Sequence, residues 1–370
     1  MGYISSNVVE KVVNGGIGWS LCHNKEVLCL CMESTLFLYD LVSLRILKKI
    51  ETRTDTGNRL KITLFNEKQE NNEEKKYCDG RPKNTKCEEY SVHENSSGDI
   101  LSIGNIDEGS IIRRGEFMKD SDLIGVGYFN GVCDIINTQT GELIDRLEGD
   151  ESEIKSISFN ECGRLAFSTR QGSIWVWLIN SEGEWEIEEI IEYSESDVKS
   201  VIWHKNSLIS VGYSNEIVIY NRWEDDICGI KWEIENIFKM DSCIWDVSII
   251  EDSVSYMGAV TQNGILKIFK KDYENTSDWE VVKEQKISEY PIISLCTGII
   301  NRIKCFAMII NRRNLALYSV DGVLIKEYSV LTEYDEPVDI IFSEKSSSFI
   351  ILSYQIHSQK KRTIIRSIKL

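Results

Sequence analysis

The sequence predicts an all-β protein folded as a seven-bladed β-propeller, because it carries two periodic strand signals and little helical periodicity. One signal is a short alternating template that recurs seven times, and the other is an alternating strand that follows the template. Four short strands every ~40–45 residues is the period of a propeller blade. The 370 residues are therefore expected to form a single domain, residues 1–370.

The first signal marks the innermost strand of each blade. It is clearest in S-E-I-K-S-I-S-F at 152–159 and S-D-V-K-S-V-I-W at 196–203, which begin 44 residues apart. Fainter copies lie at 16–22, 110–117, 242–249, 290–297 and 336–343. Seven copies predict seven blades.

The second signal is an apolar strand, a turn and an alternating strand that ends in a large residue. The final residues are Tyr39, Ile136, Trp177, Tyr220, Phe269 and Tyr318. From Ile136 onward these positions are 41, 43, 49 and 49 residues apart. Alternating strands rich in β-branched and aromatic residues, with turn residues between them, indicate antiparallel sheet. A ring of such sheets leaves no long exposed edge.

The first segment of the chain is expected to close the ring. The strand Asn7–Val13 is predicted to pair with the last blade, whose other strands come from residues 336–370. Pairing the two ends of the chain in one sheet stops the ring from opening.

One interval breaks the repeat. Tyr39 and Ile136 are 97 residues apart, about twice the length of a blade. Residues 52–108 fill the interval and are rich in Asn, Glu, Lys and Ser. Such a composition buries too little apolar surface to offset its ordering entropy. We expect a largely disordered insertion between blades 1 and 2, in which K-I-T-L-F at 61–65 forms a strand.

Composition narrows the classes of function. The 42 basic and 59 acidic residues give a net charge of −17, which repels phosphate backbones and argues against nucleic-acid binding. No apolar run approaches the ~18 residues of a membrane span, so no membrane association is expected. Gly2 and Ser6 match the loose myristoylation pattern, but Tyr3 is bulky and so short a pattern recurs by chance.

The 11 cysteines do not predict a disulfide framework, because the count is odd and no C-x-x-C pair occurs. Most lie in apolar strand-like runs, which indicates buried thiols in a reducing compartment. Cys78, Cys87 and His93 in the insertion are too loosely spaced to predict a zinc site. We expect no bound metal and no cofactor.

No catalytic motif is found in the sequence. G-V-G-Y-F-N-G at 125–131 resembles a phosphate-binding glycine loop, but such a loop precedes a helix and here a strand follows. It is predicted to be a hairpin turn of blade 2. His204, one of four scattered histidines, is expected to hydrogen-bond between strands. No catalytic residue is predicted and the protein is not expected to be an enzyme, with a site assembled across blades as the remaining enzyme alternative.

The hairpin S-T-R-Q-G-S-I-W-V-W at 168–177 carries an unexpected cation, Arg170. A turn needs Gly, Asn, Asp or Ser for its backbone geometry, and it does not need a charge. The other blades place uncharged residues at this position, namely Met32, Phe129, Tyr213, Gln262 and Asn311. A second row, near the start of each innermost strand, reads Trp19, Arg113, Lys155, Lys199, Trp245, Ile293 and Asp339.

These rows predict a basic patch flanked by tryptophans on one rim of an acidic protein. In one interpretation, Arg170 pairs with Glu151 or Glu153 as a surface salt bridge of little energetic value. In the other, Arg170 anchors an anionic peptide group, because its five-donor fork holds a carboxylate bidentately. The predicted peptide-binding residues are Arg170, Lys155, Lys199, Arg113, Trp19 and Trp245.

Several of these segments resemble one family. The stretches E-G-D-E-S-E-I-K-S-I-S-F at 148–159 and 168–177 resemble blade 3 of the WD-repeat protein of the cytosolic iron–sulfur protein assembly (CIA) targeting complex. D-V-K-S-V-I-W-H at 197–204 resembles its blade 4. C-I-W-D-V-S-I at 243–249 and G-W-S-L-C at 18–22 are similar to its blades 5 and 1. The resemblance is best over residues 109–270, and the fold it implies is a seven-bladed WD-repeat β-propeller.

The chain departs from this family at two positions of blade 3. Asp150 stands where the family has a histidine, and Gln171 stands where it has an aspartate. The usual polar network between the strands is therefore expected to be broken in this blade.

The resemblance implies a scaffold that binds neither a cluster nor a metal itself, so no cysteine is expected to be a cluster ligand. Its implied partners are a small adaptor, a large helical-repeat protein, a hydrogenase-like cluster donor and iron–sulfur apoproteins. It also implies that Arg170 binds an acidic-aromatic tripeptide at the C-terminus of a client or adaptor. The expected location is the cytoplasm, with the nucleus as a further one.

We therefore expect a non-enzymatic scaffold that helps deliver iron–sulfur clusters to cytosolic and nuclear apoproteins. The alternative is a generic WD-repeat adaptor in another multiprotein complex, such as a vesicle coat, a chromatin complex or a ubiquitin ligase.

Overall fold

A computed structural model describes residues 8–14, 16–52, 61–64, 111–225, 229–274, 278–357 and 360–369. Over these ranges the chain forms 29 β-strands and no helix, and all strand pairs are antiparallel within seven sheets. Each innermost strand contacts the innermost strand of the next blade, and the last contacts the first. The predicted all-β, seven-bladed propeller is confirmed.

Each blade is an antiparallel meander. Blade 1 contains β2 (Gly18–His23), β3 (Val27–Met32), β4 (Thr35–Asp40) and β5 (Ile46–Glu51), with β6 (Lys61–Leu64) added at its outer edge. Blade 2 contains β7 (Ile112–Phe117), β8 (Leu123–Tyr128), β9 (Val132–Asn137) and β10 (Leu143–Glu148). Blade 3 contains β11 (Ile154–Phe159), β12 (Leu165–Thr169), β13 (Ile174–Ile179) and β14 (Trp185–Ile191).

The remaining blades follow the same plan. Blade 4 contains β15 (Val198–His204), β16 (Ser207–Gly212), β17 (Glu216–Asp225) and β18 (Gly229–Lys239). Blade 5 contains β19 (Ile244–Ile250), β20 (Val254–Thr261), β21 (Ile265–Asp272) and β22 (Glu280–Lys286). Blade 6 contains β23 (Leu295–Ile300), β24 (Ile303–Ile310), β25 (Asn314–Ser319) and β26 (Leu324–Ser329). Blade 7 contains β27 (Glu336–Ser343), β28 (Ser348–His357), β29 (Lys360–Lys369) and β1 (Val8–Asn14).

The N-terminal strand closes the ring as predicted. β1 pairs antiparallel with β29 along its whole length. The buried Arg366 of β29 donates to Glu10 of β1 at 2.8 Å and to the buried Asp335 at 3.2 Å. The hydroxyl of Thr363 accepts from Gly18 N at 2.8 Å and so joins blade 7 to blade 1.

The strand predicted at 61–65 is confirmed as β6, which pairs with β5. Most of the predicted 52–108 insertion lies outside the described residues, and so do Cys78, Cys87, His93 and Gly2. The hairpin predicted at 125–131 is also confirmed. It joins β8 to β9, and Gly131 has a φ of 81° in the left-handed region that favours glycine.

The cores lie between neighbouring blades. Among the described residues, seven clusters of buried apolar side chains each join the facing sheets of two adjacent blades. Between blades 2 and 3, for example, Ile135 packs in one cluster with Phe167 and Trp177. Burying each such side chain contributes roughly 1.5–3 kcal/mol, so the ring is held by packing repeated at every interface.

The cysteines of the described ranges are free thiols, and six of these eight are buried. Burial raises the pKa of Cys243 and Cys305 to about 11. The thiols of Cys243 and Cys305 are therefore protonated at neutral pH and unreactive.

Candidate functional site

A shared irregularity of the innermost strands aligns the predicted site residues. The register with the second strand shifts after the first residue of the innermost strand in blades 1 to 5. The residues at the shift are Trp19, Arg113, Lys155, Lys199 and Trp245. A β-bulge re-aims a side chain out of the regular alternation, so these five side chains reach the same rim.

Blade 7 differs from the predicted row by one residue. Its register shift falls at Val338, between Pro337 and Asp339. The prediction that Asp339 belongs to the rim row is therefore wrong. Asp339 lies at the next position, nearly buried on the axis of the ring, where it accepts from Ser294 Oγ at 2.8 Å and lies 3.3 Å from Arg114 Nη1.

Glu153 is the centre of the basic patch. Its carboxylate is buried and accepts from Lys155 Nζ at 2.5 Å and Arg113 Nε at 2.7 Å. Arg170 Nη2 lies 3.0 Å from the same carboxylate. Burial by itself would raise the pKa of Glu153, but the three cations together hold that pKa below its ordinary value. The carboxylate is therefore ionised and fixes the positions of three cationic groups.

Arg170 is both paired and accessible. Its backbone N–H donates to Glu153 O at 2.9 Å, and the turn closes through Gly172, whose φ is 96°. The side chain remains 60% exposed. Of the two interpretations drawn from the sequence, the ion pair exists with Glu153, and the exposed fork that the peptide interpretation requires is also present.

Lys199 extends the patch into blades 4 and 5. Its Nζ lies 2.7 Å from Asp197 Oδ2, while Lys155 Nζ lies 3.7 Å from the same oxygen. The ammonium of Lys199 also lies over the rings of Tyr213 (4.4 Å) and Trp245 (5.0 Å). The side chain of Lys199 is only 11% exposed, and these cation–π contacts together with Asp197 hold its ammonium group in place.

The opposite flank, in blades 1 and 2, repeats the arrangement with arginine. The guanidinium of Arg113 lies 5.0 Å from the centroid of Trp19. Trp19 in turn makes an edge contact with Phe129 at 6.0 Å. Burial lowers the pKa of Arg113 to about 10, so Arg113 stays charged at neutral pH. The site is thus an arc of cations between two aromatic pairs.

The prediction of a broken polar network in blade 3 is wrong. Asp150 accepts hydrogen bonds from Thr169 Oγ1 at 2.7 Å and from Ser173 Oγ. Ser173 Oγ accepts from Trp175 Nε1 at 3.0 Å, and Ser152 Oγ donates to Asp150 at 2.6 Å. The aspartate therefore ties the loop before the blade to the strands on both sides of the Arg170 hairpin.

His204 lies far from this arc, at the end of β15 facing blade 5. Its Nε2 is 3.2 Å from Ser255 Oγ and 2.9 Å from Tyr273 OH. Burial lowers the pKa of His204 to about 4, so the ring is neutral. The predicted hydrogen bonding between strands is confirmed, and the partners belong to the neighbouring blade.

Two acidic residues of the arc were missed as members of the site. The sequence interpretation gives Glu153 only as a weak surface partner of Arg170 and does not include Asp197. A signal was present, because E-I-K at 153–155 and D-V-K at 197–199 both place a carboxylate two residues before the bulged lysine. In the described contacts of the arc, four cations face two carboxylates, which leaves a local positive excess on a protein of net charge −17.

No protein-family model and no curated protein matches the chain. In the part of the chain that is described, no group of three or more His, Cys, Asp or Glu residues is arranged to hold a metal ion. None of the described segments is a helix of the length and apolarity that crossing a membrane requires.

Proposed function

We propose that this propeller is a non-enzymatic scaffold that captures the anionic C-terminal group of a partner on the Arg170 rim. The proposal rests on the exposed guanidinium group of Arg170, which an ion pair with the buried carboxylate of Glu153 holds in position. Guanidinium groups bind carboxylates bidentately, and a fork that is already oriented loses little entropy on binding.

The surroundings of Arg170 favour a peptide over a bare anion. Arg113 and Lys199 add positive charge on both sides, and each is stacked on an aromatic ring. Arginine and tryptophan are enriched among interface residues that dominate binding energy. A C-terminal segment with an acidic and an aromatic side chain would use both kinds of group.

We further propose that the scaffold serves in the cytosolic iron–sulfur targeting complex. Support comes from the sequence resemblance over residues 109–270 and from the position of Arg170 on the hairpin that the family uses. The proposed partners are a small adaptor, a large helical-repeat protein, a hydrogenase-like cluster donor and apoproteins of the cytoplasm and nucleus. A generic WD-repeat adaptor in another complex uses the same rim and is the competing proposal.

Charge reversal at Arg170 tests the site. We expect Arg170→Glu to weaken binding of a fluorescein-labelled peptide ending in Asp-Trp by at least tenfold, because the new carboxylate faces the ligand and Glu153. Amidation of the peptide C-terminus should cause a similar loss. Folding should survive, because Arg170 is 60% exposed and the buried Glu153 keeps Lys155 and Arg113 as its partners.

Arg302→Glu is the matched control. Arg302 is exposed and lies on the opposite rim, in the turn between β23 and β24. Its replacement by Glu makes the same change of charge as Arg170→Glu. Equal peptide affinity of wild type and Arg170→Glu would end the anchor proposal. Affinity purification of Arg170→Glu and Arg302→Glu from cells then distinguishes the iron–sulfur targeting complex from the competing adaptor complex. Iron–sulfur apoproteins lost with Arg170→Glu support the targeting complex, whereas coat or chromatin proteins support the competing adaptor.

A further inference from the structure

The outermost strand of blade 3, β14, is an open sheet edge. One side of β14 pairs with β13, and in the described ranges no strand pairs with its other side. The N–H of Ile190 donates instead to the side chain of Glu189 at 3.1 Å. An open edge presents backbone groups that can pair with a strand of another chain, and natural proteins often protect such edges with lysine.

β14 lacks this protection. Each of the other described outermost strands, β1, β6, β10, β18, β22 and β26, contains at least one lysine or arginine, whereas β14 contains glutamates and no basic residue. Residues 182–195, which include β14, contain seven glutamates and no lysine or arginine. Like charges opposite each other destabilise a strand pair. This edge therefore disfavours pairing with a second copy of itself and favours a basic strand.

The face of β14 toward blade 4 is acidic. The register places Glu189 opposite Val176, which belongs to the apolar cluster between blades 3 and 4. Glu186 lies opposite Leu178, two residues further along the same face of β13. Neither glutamate forms an ion pair in the described part of the chain, so both carboxylates are available to a cationic ligand.

Glu188, the bulged residue of β14, holds the strand in place. Its side chain is fully buried and forms ion pairs with Arg164 at 2.5 Å and with Arg222 of blade 4. Arg222 also lies 3.2 Å from Glu224, so two glutamates neutralise these two arginines. An edge that is fixed before binding loses little entropy when a strand is added to it.

The face of β14 toward blade 2 is apolar. Ile187 is 46% exposed and Ile190 is 36% exposed. They lie opposite Trp177 and Trp175 of β13, which pack in the apolar cluster between blades 2 and 3. Successive side chains of a strand point to opposite faces of its sheet. A strand that alternates basic and apolar residues therefore matches both faces of β14.

Blade 1 shows that an outer edge of this ring accepts a further strand. β6 pairs antiparallel with β5 and makes that sheet five-stranded. The register places Lys61 opposite Glu51 and Ile62 opposite Ile50. Pairs of opposite charge and pairs of apolar residues both stabilise neighbouring strands. The same order of basic and apolar residues suits the two faces of β14.

We propose that β14 is a docking edge for an extended segment of a partner protein in which lysine or arginine alternates with β-branched apolar residues. The segment adds a fifth strand to blade 3 through backbone hydrogen bonds. Its basic side chains lie beside Glu186 and Glu189, and its apolar side chains cover Ile187 and Ile190. This edge is separate from the Arg170 rim and takes a ligand of the opposite charge.

Charge reversal on β14 tests the docking edge. The probe is a fluorescein-labelled peptide amide, Lys-Val-Lys-Val-Lys-Val, measured by fluorescence anisotropy in about 0.15 M NaCl, where exposed charges more than about 8 Å apart are largely screened. We expect the double substitution Glu186→Lys and Glu189→Lys to weaken binding at least tenfold, because it replaces attraction by repulsion.

The matched control is the double substitution Glu233→Lys and Glu280→Lys. These two glutamates are exposed on the outermost strands of blades 4 and 5. The control makes the same change in net charge and should bind the peptide as wild type does. An equal loss in the two double variants would show attraction by net charge alone and would overturn the proposal, and so would unchanged binding by the β14 variant.

N-methylated peptides test strand pairing on the unaltered protein. Successive N–H groups of a strand point to opposite edges, so methylating the three valine N–H groups and methylating the three lysine N–H groups block opposite edges. We expect one of these two peptides to bind at least fivefold more weakly than the other. Equal binding of the two would rule out strand addition. Binding of Lys-Lys-Lys-Val-Val-Val as tight as that of the alternating peptide would also overturn the proposal, because this peptide keeps the charge and loses the alternation.

Discussion

At the scale of single residues, the candidate site depends on the carboxylate of Glu153, for which the sequence indicates only a weak surface ion pair. An acidic residue near a surface arginine is usually a weak partner. Here Glu153 is buried beneath Arg170 and shared with Arg113 and the equally buried Lys155. Burying Lys155 without its partner would be unfavourable, because a buried charge requires a counter-charge. The site and the local stability of blade 3 therefore rest on the same group.

Glu153→Gln should destabilise the protein by about 3 kcal/mol, since the buried ammonium of Lys155 loses its partner at 2.5 Å and keeps only Asp197 at 3.7 Å. Chemical denaturation at pH 7 measures the change. Glu151→Gln, at the exposed position two residues before, is the control and should have little effect. Equal stability of the two variants would contradict the central role of Glu153.

The same substitution should flatten the acid limb of the stability curve. The pKa of Glu153 is held below its ordinary value in the folded protein. Its contribution is therefore fully present above the unfolded-state pKa and is lost as the pH falls through the folded-state pKa. Wild type should lose more stability than Glu153→Gln between about pH 5 and pH 3.

At the scale of strands, the blades were predictable because each is built from short local alternation. A period of two and a turn every few residues identify a strand without any knowledge of its partner. A bulge breaks that period by one residue, and the sequence does not mark where. This is why the predicted rim row matches the bulged residue in blades 1 to 5. In blade 7 the predicted row has Asp339, whereas the bulged residue is Val338.

The contribution of β1 to ring closure can be tested by deleting this strand. Deleting residues 1–13 removes nearly all of β1, exposes the edge of β29 and deprives Arg366 of Glu10. We expect the Tm to fall by roughly 5 °C or more. A synthetic peptide of residues 8–14, added to the truncated protein, should restore part of the loss. An unchanged Tm after the deletion would mean that packing between blades 7 and 1 closes the ring alone.

At the scale of the whole molecule, the seven innermost strands bring polar residues together on the axis of the ring. The position after the rim row is occupied by Ser20, Arg114, Ser156, Ser200, Asp246, Ser294 and Asp339. Arg114 of blade 2 reaches Asp339 of blade 7 and also donates to Lys155 O at 2.9 Å. No local pattern predicts the contact between Arg114 and Asp339, because the two residues are 225 positions apart. This contact forms only when the ring is closed.

The axis also contains a carboxyl group that the fold keeps neutral. Burial, with a smaller contribution from the neighbouring Asp339, raises the pKa of Glu116 to about 8. A raised acid pKa means that the protonated form is favoured in the folded state. Stability from this group is fully present below the unfolded-state pKa of about 4.3 and is lost as the pH rises toward 8.

Glu116→Gln imitates the neutral form at every pH. The variant should therefore match wild type near pH 4 and be more stable by several kcal/mol at pH 8, because each unit between the unfolded-state and folded-state pKa corresponds to about 1.4 kcal/mol. Chemical denaturation measures the difference. Glu142→Gln, on an exposed turn of blade 2, should show no such pH dependence. A Glu116→Gln protein less stable than wild type at pH 8 would show instead that the ionised carboxylate is needed to balance Arg114, and that the axis of the ring is held together by charge.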